Sequence, residues 1–501
     1  MLKKLTCIML CLLFVASAIL FASCSGESEQ GDESQVSVDG EATKGFLNEP
    51  KMWNQQVNIL TYNNGNYAFN TCQIVPDEMT DEPVNDAFFE RAAIIKEKYG
   101  IEIIAHYPDE GEDYVQLFRD DMISGLNEYD ALAGQIVYIT SLAIEGNLVD
   151  FNSVGNGYLH LDQPWWDSKL VNNISLNGKS YFITGDALVE DDESTWAMYF
   201  NKDLIKNRNL EDPYQLVRDD KWNLDKMYEM LQTVELTHGA TKSYDPTVGD
   251  QWGMVAQSYD FYLFMQGCGQ TLIDNTGDVP VIRIDQERNI QVYQKLANII
   301  FDSVNVGVAD HFGPWDSGVY TQETQIFANG NALFMPGSIA RVSDTIMREA
   351  EIHYGILPMP KADELQDEYT TSINVYHYSV FCVPKTNVEK LDVTCYALEA
   401  MAYYGKELVT PEYYDRTLTY KRFNDDESGE MLDLIFRNRT YDMGSIFNFN
   451  GGIDYQGTLY FYTDLLGDKA SKGQKIMSHF ESRKALYQAG IDDLVDQCYS
   501  D

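Results

Sequence analysis

Positive charge is scarce in this chain of 501 residues, which has 36 lysines and arginines against 78 aspartates and glutamates. The formal charge of −42 argues against nucleic acid or an anionic lipid surface as a partner, because both are bound through a basic face. A negative charge of this size is also compatible with solubility alone. It therefore argues against these two kinds of partner but does not identify a partner of its own.

The sequence also lacks the short motifs of several enzyme classes. None of the seven histidines is followed by glutamate, so the zinc-protease motif HExxH is absent, and GxSxG does not occur. Gly178-Lys179-Ser180 matches the end of a P-loop, but Asn173 stands where that loop needs its first glycine. A glycosidase pair among the many carboxylates stays open, although nothing singles one out. Few histidines and no clustered ligands make a metal site improbable, and we expect no catalysis and no cofactor.

Cysteines are few and unpaired in sequence. Three of the eight belong to the N-terminal segment, and the other five are Cys72, Cys268, Cys382, Cys395 and Cys498. No two of these form CxxC and their number is odd. We therefore predict buried thiols, with a Cys382–Cys395 disulfide as the alternative.

Long apolar runs are confined to the N-terminus. Lys3 and Lys4 precede an uncharged apolar stretch over residues 8–21, which ends in Ala22-Ser23-Cys24. This arrangement predicts a signal peptide over residues 1–23, and its core is short for a membrane span of ~20 residues. The segment Ala22-Ser23-Cys24 resembles the bacterial lipobox, which implies lipidation of Cys24. A plain secretory signal is the alternative. Residues 24–44 are polar and small, so we predict a flexible tether between the anchor and the folded body.

Beyond the tether, strand-like and helical patterns alternate. Strands are predicted at 57–62, 101–104 and 129–133, with helices at 85–99 and 113–124 between them. This order is typical of parallel α/β sheets, in which ligands gather at the loops after the carboxyl ends of the strands. In this chain those loops carry the polar side chains Asn63, Asn64 and Gln135.

Several later segments resemble, in order and spacing, the solute-binding proteins of bacterial ABC importers, in particular the sugar-binding family that includes maltose-binding protein. The segments that carry this resemblance are Tyr129-Asp130-Ala131, Leu148-Val149-Asp150, Asn177-Gly178-Lys179-Ser180-Tyr181, Met198-Tyr199-Phe200-Asn201-Lys202-Asp203-Leu204, the stretch 327–338 and the stretch 354–360. None of them is specific alone, but together they span nearly the whole chain after the tether.

The resemblance implies a type II periplasmic-binding-protein-like fold, with two α/β lobes, a crossing hinge and a ligand cleft between the lobes. It places the first lobe at residues 45–188 plus 332–375 and the second at 189–331 plus 376–501. It also implies a monomeric, lipid-anchored receptor on the outer side of the cell membrane, or in the periplasm where an outer membrane exists. Its partners would be a carbohydrate ligand and the transmembrane subunits of an ABC permease.

A sugar receptor needs aromatic planes for ring faces and planar polar groups for paired hydroxyls. The chain has 33 tyrosines and seven tryptophans, several of them in the expected loops. The candidate ligand-binding residues are Asn63, Asn64, Gln135, Asp186, Trp196, Trp252, Tyr259, Trp315, Ser338, Arg341, Tyr376 and Tyr378.

The sequence thus predicts an extracellular substrate-binding lipoprotein that delivers a carbohydrate, in the oligosaccharide range, to a membrane permease. Three alternatives stay open. The first is the same fold acting as a ligand sensor for a membrane kinase, and the second is an extracellular glycoside hydrolase. The third is a surface protein that binds peptides or metals.

Overall fold

The computed structural model describes residues 51–63, 71–109, 112–155, 157–234, 251–302, 305–311, 318–414, 425–450, 457–467 and 475–499. The predicted signal peptide, Cys24 and the tether lie outside these residues, as do Asn64 and Trp315. In the part of the chain that is described, no helix is both long and apolar enough to cross a membrane.

Strands and helices alternate through the first part of the chain. Its elements are, in chain order, β1 (Gln55–Leu60), α1 (Pro83–Tyr99), β2 (Ile101–His106), α2 (Tyr114–Ser124), β3 (Ala131–Gln135), α3 (Ile136–Ile144), α4 (Ser168–Ile174), α5 (Glu190–Glu193), β4 (Trp196–Asn201), α6 (Lys202–Asn207), α7 (Pro213–Arg218) and α8 (Leu224–Leu231).

The second part continues this alternation and then becomes mostly helical. Its elements are β5 (Trp252–Ala256), α9 (Asp260–Gly267), β6 (Ile273–Asp274), β7 (Val281–Ile282), α10 (Glu287–Asp302), β8 (Val306–Val308), α11 (Val319–Ala328), β9 (Ala332–Ser338), α12 (Thr345–Arg348), β10 (Tyr354–Leu357), β11 (Ser379–Cys382), α13 (Leu391–Tyr404), α14 (Asp426–Arg437), α15 (Met443–Phe447), α16 (Tyr460–Gly467) and α17 (Ile476–Tyr499).

Two sheets form the cores of two lobes. The first sheet has the order β11-β3-β1-β2, in which β1 is parallel to β2 and β3, and β11 is antiparallel to β3. The second sheet has the order β10-β4-β9-β5-β8 and mixes parallel and antiparallel pairs. The predicted α/β fold is therefore confirmed, with antiparallel strands that the alternating pattern did not indicate.

Local signals account for several of the helix ends. Gly100 ends α1 in the left-handed conformation at φ 64°, because glycine has no Cβ to clash there. Asn223 caps α8 by accepting a hydrogen bond from the Lys226 amide. The start of α1 differs from the predicted residue 85: the helix begins at Pro83, and the Glu82 carboxylate accepts from its first free amides.

The strand pairing divides the chain differently from the predicted lobe segments. β9 and β10 fall in the predicted first-lobe segment 332–375, yet β4 pairs with both of them in the second sheet. β11 falls in the predicted second-lobe segment 376–501, yet it pairs with β3 in the first sheet. A motif marks a position along the chain, whereas the partner of a strand is set by contacts that are distant in sequence.

All five cysteines after the tether are buried free thiols, including Cys382 and Cys395, so the default prediction holds and the alternative disulfide is not formed. Burial raises the pKa of the Cys268 thiol to about 12, which keeps it protonated and unreactive. Among the described residues, no group of three or more His, Cys, Asp and Glu side chains is placed to hold a metal ion.

Candidate functional site

Six aromatic side chains from both lobes meet in one group, which we call the aromatic cluster. It consists of Tyr138, Trp196, Tyr259, Tyr262, Tyr376 and Tyr460. The first lobe contributes Tyr138 from the first turn of α3, directly after β3. Trp196 opens β4 in the second sheet, while Tyr259 lies in the loop between β5 and α9. Both of the loops involved follow the carboxyl ends of strands, where ligands bind in open α/β sheets.

The rings of the cluster are in edge-on or tilted contact. Tyr259 lies 4.8 Å from Tyr262, 5.9 Å from Tyr376 and 6.1 Å from Trp196 between ring centroids. Tyr376 lies 5.5 Å from Tyr138, and its hydroxyl bonds that of Tyr460. Tyr138 is 49% exposed, whereas Trp196 is only 3% exposed, so the cluster runs from an accessible rim to a buried floor.

Hydrogen bonds fix the orientation of these rings. The Tyr259 hydroxyl donates to Asn374 Oδ1 at 2.8 Å, and Asn374 Oδ1 also accepts from the Tyr376 amide at 3.0 Å. The Tyr262 hydroxyl donates to the Ile373 carbonyl at 3.0 Å. Burial, with neighbouring phenols, raises the pKa of Tyr259 and Tyr376, so both stay neutral hydroxyl donors at physiological pH.

Gln135 ends β3 and borders this cluster. Its side-chain amide donates to the Tyr376 carbonyl, and its backbone amide donates to the Tyr114 hydroxyl at 3.2 Å. Gln135 is 3% exposed, so it positions Tyr376 rather than presenting an open amide. Asn63 follows β1 and is exposed, and its Oδ1 accepts from Thr71 Oγ1 at 3.1 Å.

Ser338 and Arg341, two other predicted ligand residues, are buried in the second lobe. Ser338 ends β9 opposite Trp196, and its carbonyl accepts from the Tyr199 hydroxyl at 2.8 Å. Arg341 is fully buried and forms a 2.5 Å ion pair with Glu323. Burial raises the pKa of the Glu323 carboxyl, which Arg341 opposes.

Asp186 lies at a cavity of about 310 Å³, which Trp165, Asp167, Asp191 and Arg439 also line and which no residue of the aromatic cluster lines. Arg439 donates to Asp167 Oδ2 at 2.9 Å, and the Tyr378 hydroxyl reaches the same oxygen at 3.4 Å. Burial raises the pKa of Asp186 to about 6, against the opposing charge of Lys406. Asp186 thus lines this cavity, and Tyr378 is connected to it by the hydrogen bond to Asp167, so neither residue belongs to the aromatic cluster.

Trp252 lies at the amino end of β5 and is 1% exposed. The loop that carries Tyr259 follows the opposite end of this five-residue strand, about 13 Å away at ~3.3 Å per residue. Sequence reasoning missed Tyr138, Tyr262, Asn374 and Tyr460. Tyr138 could have been found, because it follows Gln135 by three residues in the same loop and helix start. The others depend on long-range packing and carry no local signal.

Comparisons with known proteins agree with this architecture. The family model described as bacterial extracellular solute-binding protein matches residues 78–386, more than half of the chain. No curated protein matches the sequence closely.

Three solved structures share the fold at low sequence identity. UspC from Mycobacterium tuberculosis has a TM-score of 0.54 at 15% identity and covers 87% of this chain and 100% of its own. A sugar transporter from Rhizobium etli, in an open conformation, has a TM-score of 0.54 at 12% identity and coverages of 89% and 100%. An ABC substrate-binding protein from Listeria monocytogenes in complex with cycloalternan has a TM-score of 0.51 at 12% identity and coverages of 88% and 97%. The fold is that of type II periplasmic solute-binding proteins with two lobes, and the chain belongs to the bacterial extracellular solute-binding protein family.

Proposed function

We propose that the protein captures a carbohydrate, in the oligosaccharide range, at the aromatic cluster between its lobes and delivers it to an ABC permease. The observation that carries this proposal is the cluster itself, to which both lobes contribute. Aromatic rings present large apolar faces with few rotatable bonds, and their hydroxyls can bond sugar hydroxyls. The cycloalternan bound by the Listeria monocytogenes protein and the sugar-transporter description of the Rhizobium etli protein point to the same ligand class.

Of the residues predicted to bind the ligand, we retain Tyr259 and Tyr376 as contacts, and Trp196 and Gln135, each 3% exposed, as positioning residues. Tyr138 and Tyr460 join them because their rings or hydroxyls contact Tyr376. Asn63 remains a candidate after β1, and Asn64 and Trp315 remain candidates from the sequence alone. We leave out Trp252 and Arg341 because both are at most 1% exposed.

The test is titration calorimetry against a panel of neutral oligosaccharides, with peptides as the contrasting ligand class. Tyr138→Ala should weaken carbohydrate binding at least tenfold, which corresponds to about 1.4 kcal/mol, because an accessible ring face is lost. Tyr228→Ala is the matched control, since Tyr228 is 37% exposed on α8 and takes no part in the cluster. Binding of peptides but of no carbohydrate would remove the carbohydrate assignment.

Binding without catalysis is part of the proposal. Incubation of the protein with each bound oligosaccharide should return it unchanged, as followed by chromatography. If a repurified sample of the protein still produced a cleaved oligosaccharide, this result would instead support the glycoside hydrolase alternative.

The lipid anchor at Cys24 is proposed from the sequence alone and places the receptor on the outer face of the membrane. In cells fed an alkyne-labelled fatty acid, the wild-type chain should incorporate the label and sediment with membranes. Cys24→Ser should lose both properties. A Cys24→Ser chain that still carries the label would refute lipidation at this residue.

A further inference from the structure

A cavity of about 310 Å³ lies where helices from the two lobes meet, apart from the aromatic cluster. Lys406 borders it just after α13, a helix that packs against β1 and β2 of the first sheet. Phe436 borders it near the end of α14, which packs against β10 of the second sheet. An engineered cavity of ~150 Å³ holds benzene, so this volume is sufficient for a ring with a short side arm.

Two tryptophans form an apolar part of the cavity lining. Trp165 Nε1 donates to Glu399 Oε1 at 3.2 Å, and Trp166 Nε1 donates to Glu399 Oε2 at 2.8 Å. Glu399 lies on α13 and is fully buried. Because both indole N–H groups are bonded to this carboxylate, the two tryptophans are held in one orientation and contribute apolar ring surface to the cavity.

Carboxylates dominate the polar part of the lining. Arg439, whose side chain is 10% exposed, donates to Asp167 Oδ2 at 2.9 Å and to Asp192 Oδ1 at 3.0 Å. Lys406 Nζ lies 3.5 Å from Asp186 Oδ2, but the lysine side chain is 39% exposed. The buried guanidinium therefore serves two carboxylates at once, and the third has only a long contact with a cation that reaches into solvent.

Asp191 is a fourth carboxylate at this cavity, and its charge is the least compensated. Asp191 is 5% exposed, yet its carboxylate accepts no hydrogen bond from any residue that the structure describes. Its ion pair with Arg439 Nη2 is 3.5 Å long. Lys169 also lines the cavity, but it is exposed and donates to the Arg437 carbonyl. Buried carboxylates in folded proteins normally accept hydrogen bonds, so Asp191 marks a place for a donor.

The electrostatic balance of the cavity agrees with this geometry. Burial raises the pKa of Asp191 well above its ordinary value, and the neighbouring Asp192 raises it further, while Arg439 opposes the shift. Burial likewise raises the pKa of Asp186 to about 6. Because positive charge is in short supply at these carboxylates, a ligand that supplies both a cation and N–H donors would be stabilised there.

From the volume, the apolar lining and the uncompensated carboxylate we infer that this cavity is a second ligand site, which binds a small organic ammonium ion. The ammonium group donates to the Asp191 carboxylate, and the hydrocarbon part packs against Trp165 and Trp166. A metal ion fits less well, since no group of three or more His, Cys, Asp and Glu side chains among the described residues is placed to hold one. The site lies outside the aromatic cluster, so it goes beyond the proposed function and does not depend on it.

The experiment uses three probes of similar size that differ in charge: phenethylammonium, 2-phenylethanol and 3-phenylpropionate. Calorimetry with the full chain should give at least tenfold tighter binding for the ammonium than for the alcohol, because only the ammonium forms a charge-assisted hydrogen bond with Asp191. The carboxylate probe should bind more weakly than the alcohol, since the lining carboxylates repel it. An ammonium probe that binds no more tightly than the alcohol overturns the inference.

A substitution at Asp191 locates the site. Asp191→Asn removes the charge with almost no change in volume, so it should weaken ammonium binding at least tenfold and change alcohol binding by less than about twofold. Asp367→Asn, at an exposed position, is the matched control and should leave both affinities unchanged. If Asp191→Asn does not fold, Asp186→Asn takes its place and should weaken ammonium binding by about threefold or more. An unchanged ammonium affinity in the folded variant would refute the site.

The aromatic cluster is the competing location for an ammonium ion, because tyrosine rings also attract cations. Tyr138→Ala should weaken carbohydrate binding but leave ammonium binding unchanged. A loss of ammonium binding in Tyr138→Ala as large as that in Asp191→Asn would place the cation at the cluster and overturn the inference. If no carbohydrate binds, the proposed function falls, while the three probes and the Asp191 variant still decide the second site.

Discussion

Arg341 is fully buried and donates to Glu323 and Thr324, so its charge is neutralised inside the second lobe. Glu323 Oε2 also accepts from Gln257 Nε2 at 2.6 Å, which ties the β5–α9 loop to this ion pair. The ion pair therefore supports the loop that carries Tyr259. We expect its residues to affect ligand binding through packing and not through contact.

Replacing Arg341 should destabilise the protein because it leaves a buried carboxylate without its counter-ion. Arg341→Met is expected to lower the free energy of unfolding by about 3–5 kcal/mol in urea denaturation. The double variant Arg341→Met/Glu323→Gln should recover much of this loss, since the unpaired charge is removed as well. A double variant no more stable than Arg341→Met would contradict this explanation.

Asp186 offers a pH-dependent test at the second cavity. Burial raises its pKa to about 6 from the ordinary 3.8, so the folded protein holds this proton more tightly than the unfolded chain. The stabilisation is present at pH below about 4 and is lost as the pH rises through about 6. The loss amounts to about 3 kcal/mol.

Asp186→Asn cannot ionise, so its stability relative to wild type should improve by up to about 3 kcal/mol between pH 4 and pH 7. Urea denaturation at the two pH values measures this change. Asp367→Asn, at an exposed position, serves as the control and should show little pH-dependent difference. A constant offset for Asp186→Asn across this range would contradict the assigned cause.

Among the helices and strands, the local signals predicted element types well and partners poorly. β1, α1, β2 and α2 appear where the periodicity places them, because their apolar spacing and helix ends are encoded within a few residues. The antiparallel edge β11 was not indicated, since its partner β3 lies more than 240 residues earlier. A short apolar strand carries no mark of the sheet that it joins.

A comparison of two glycines with the same backbone conformation distinguishes backbone strain from steric clash. Gly100 and Gly125 end α1 and α2 at φ 64° and 69°. A Cβ at Gly100 would lie 2.9 Å from Asn54 Oδ1 and 3.0 Å from the Asn54 amide nitrogen, whereas one at Gly125 would meet no atom within 4 Å.

Gly125→Ala should therefore cost only the left-handed conformation, about 1 kcal/mol, while Gly100→Ala should cost about 2 kcal/mol or more. Thermal and urea denaturation of both variants give the comparison. Equal losses would show that the chain around Asn54 moves aside without cost.

On the scale of the whole molecule, two chain segments cross between the sheets, and these segments run side by side. The Trp196 amide donates to the Ser372 carbonyl, and the Asn374 amide donates to the Ser194 carbonyl, each at 2.8 Å. Both crossings lead directly into the aromatic cluster, through Trp196 and Tyr376. Rotation of one lobe about these segments would change the distance between Tyr138 and Tyr259, which belong to different lobes.

We therefore expect the ligand to close the lobes by a hinge motion. Small-angle scattering should show a smaller radius of gyration when a bound oligosaccharide is present at 100 times its dissociation constant. The same ligand should raise the free energy of unfolding by about 2.7 kcal/mol. At the same ligand concentration, Tyr376→Ala should show a smaller decrease in radius of gyration and a smaller increase in the free energy of unfolding. A bound ligand that leaves the radius of gyration unaltered would exclude closure.

The sequence by itself determined the family and the α/β class and predicted the unpaired cysteines, because each is encoded in composition, short motifs or local periodicity. Its choice of Trp196, Tyr259 and Tyr376 as ligand residues stays a prediction. The tertiary structure decided which of these residues meet. It brought Tyr138 and Tyr460 to Tyr376, enclosed Arg341 with Glu323, and placed Asp186 at a cavity outside the aromatic cluster. The reason is physical: the environment of a side chain depends on strands and helices far away in the chain, and only the packed fold fixes which polar atoms are already occupied.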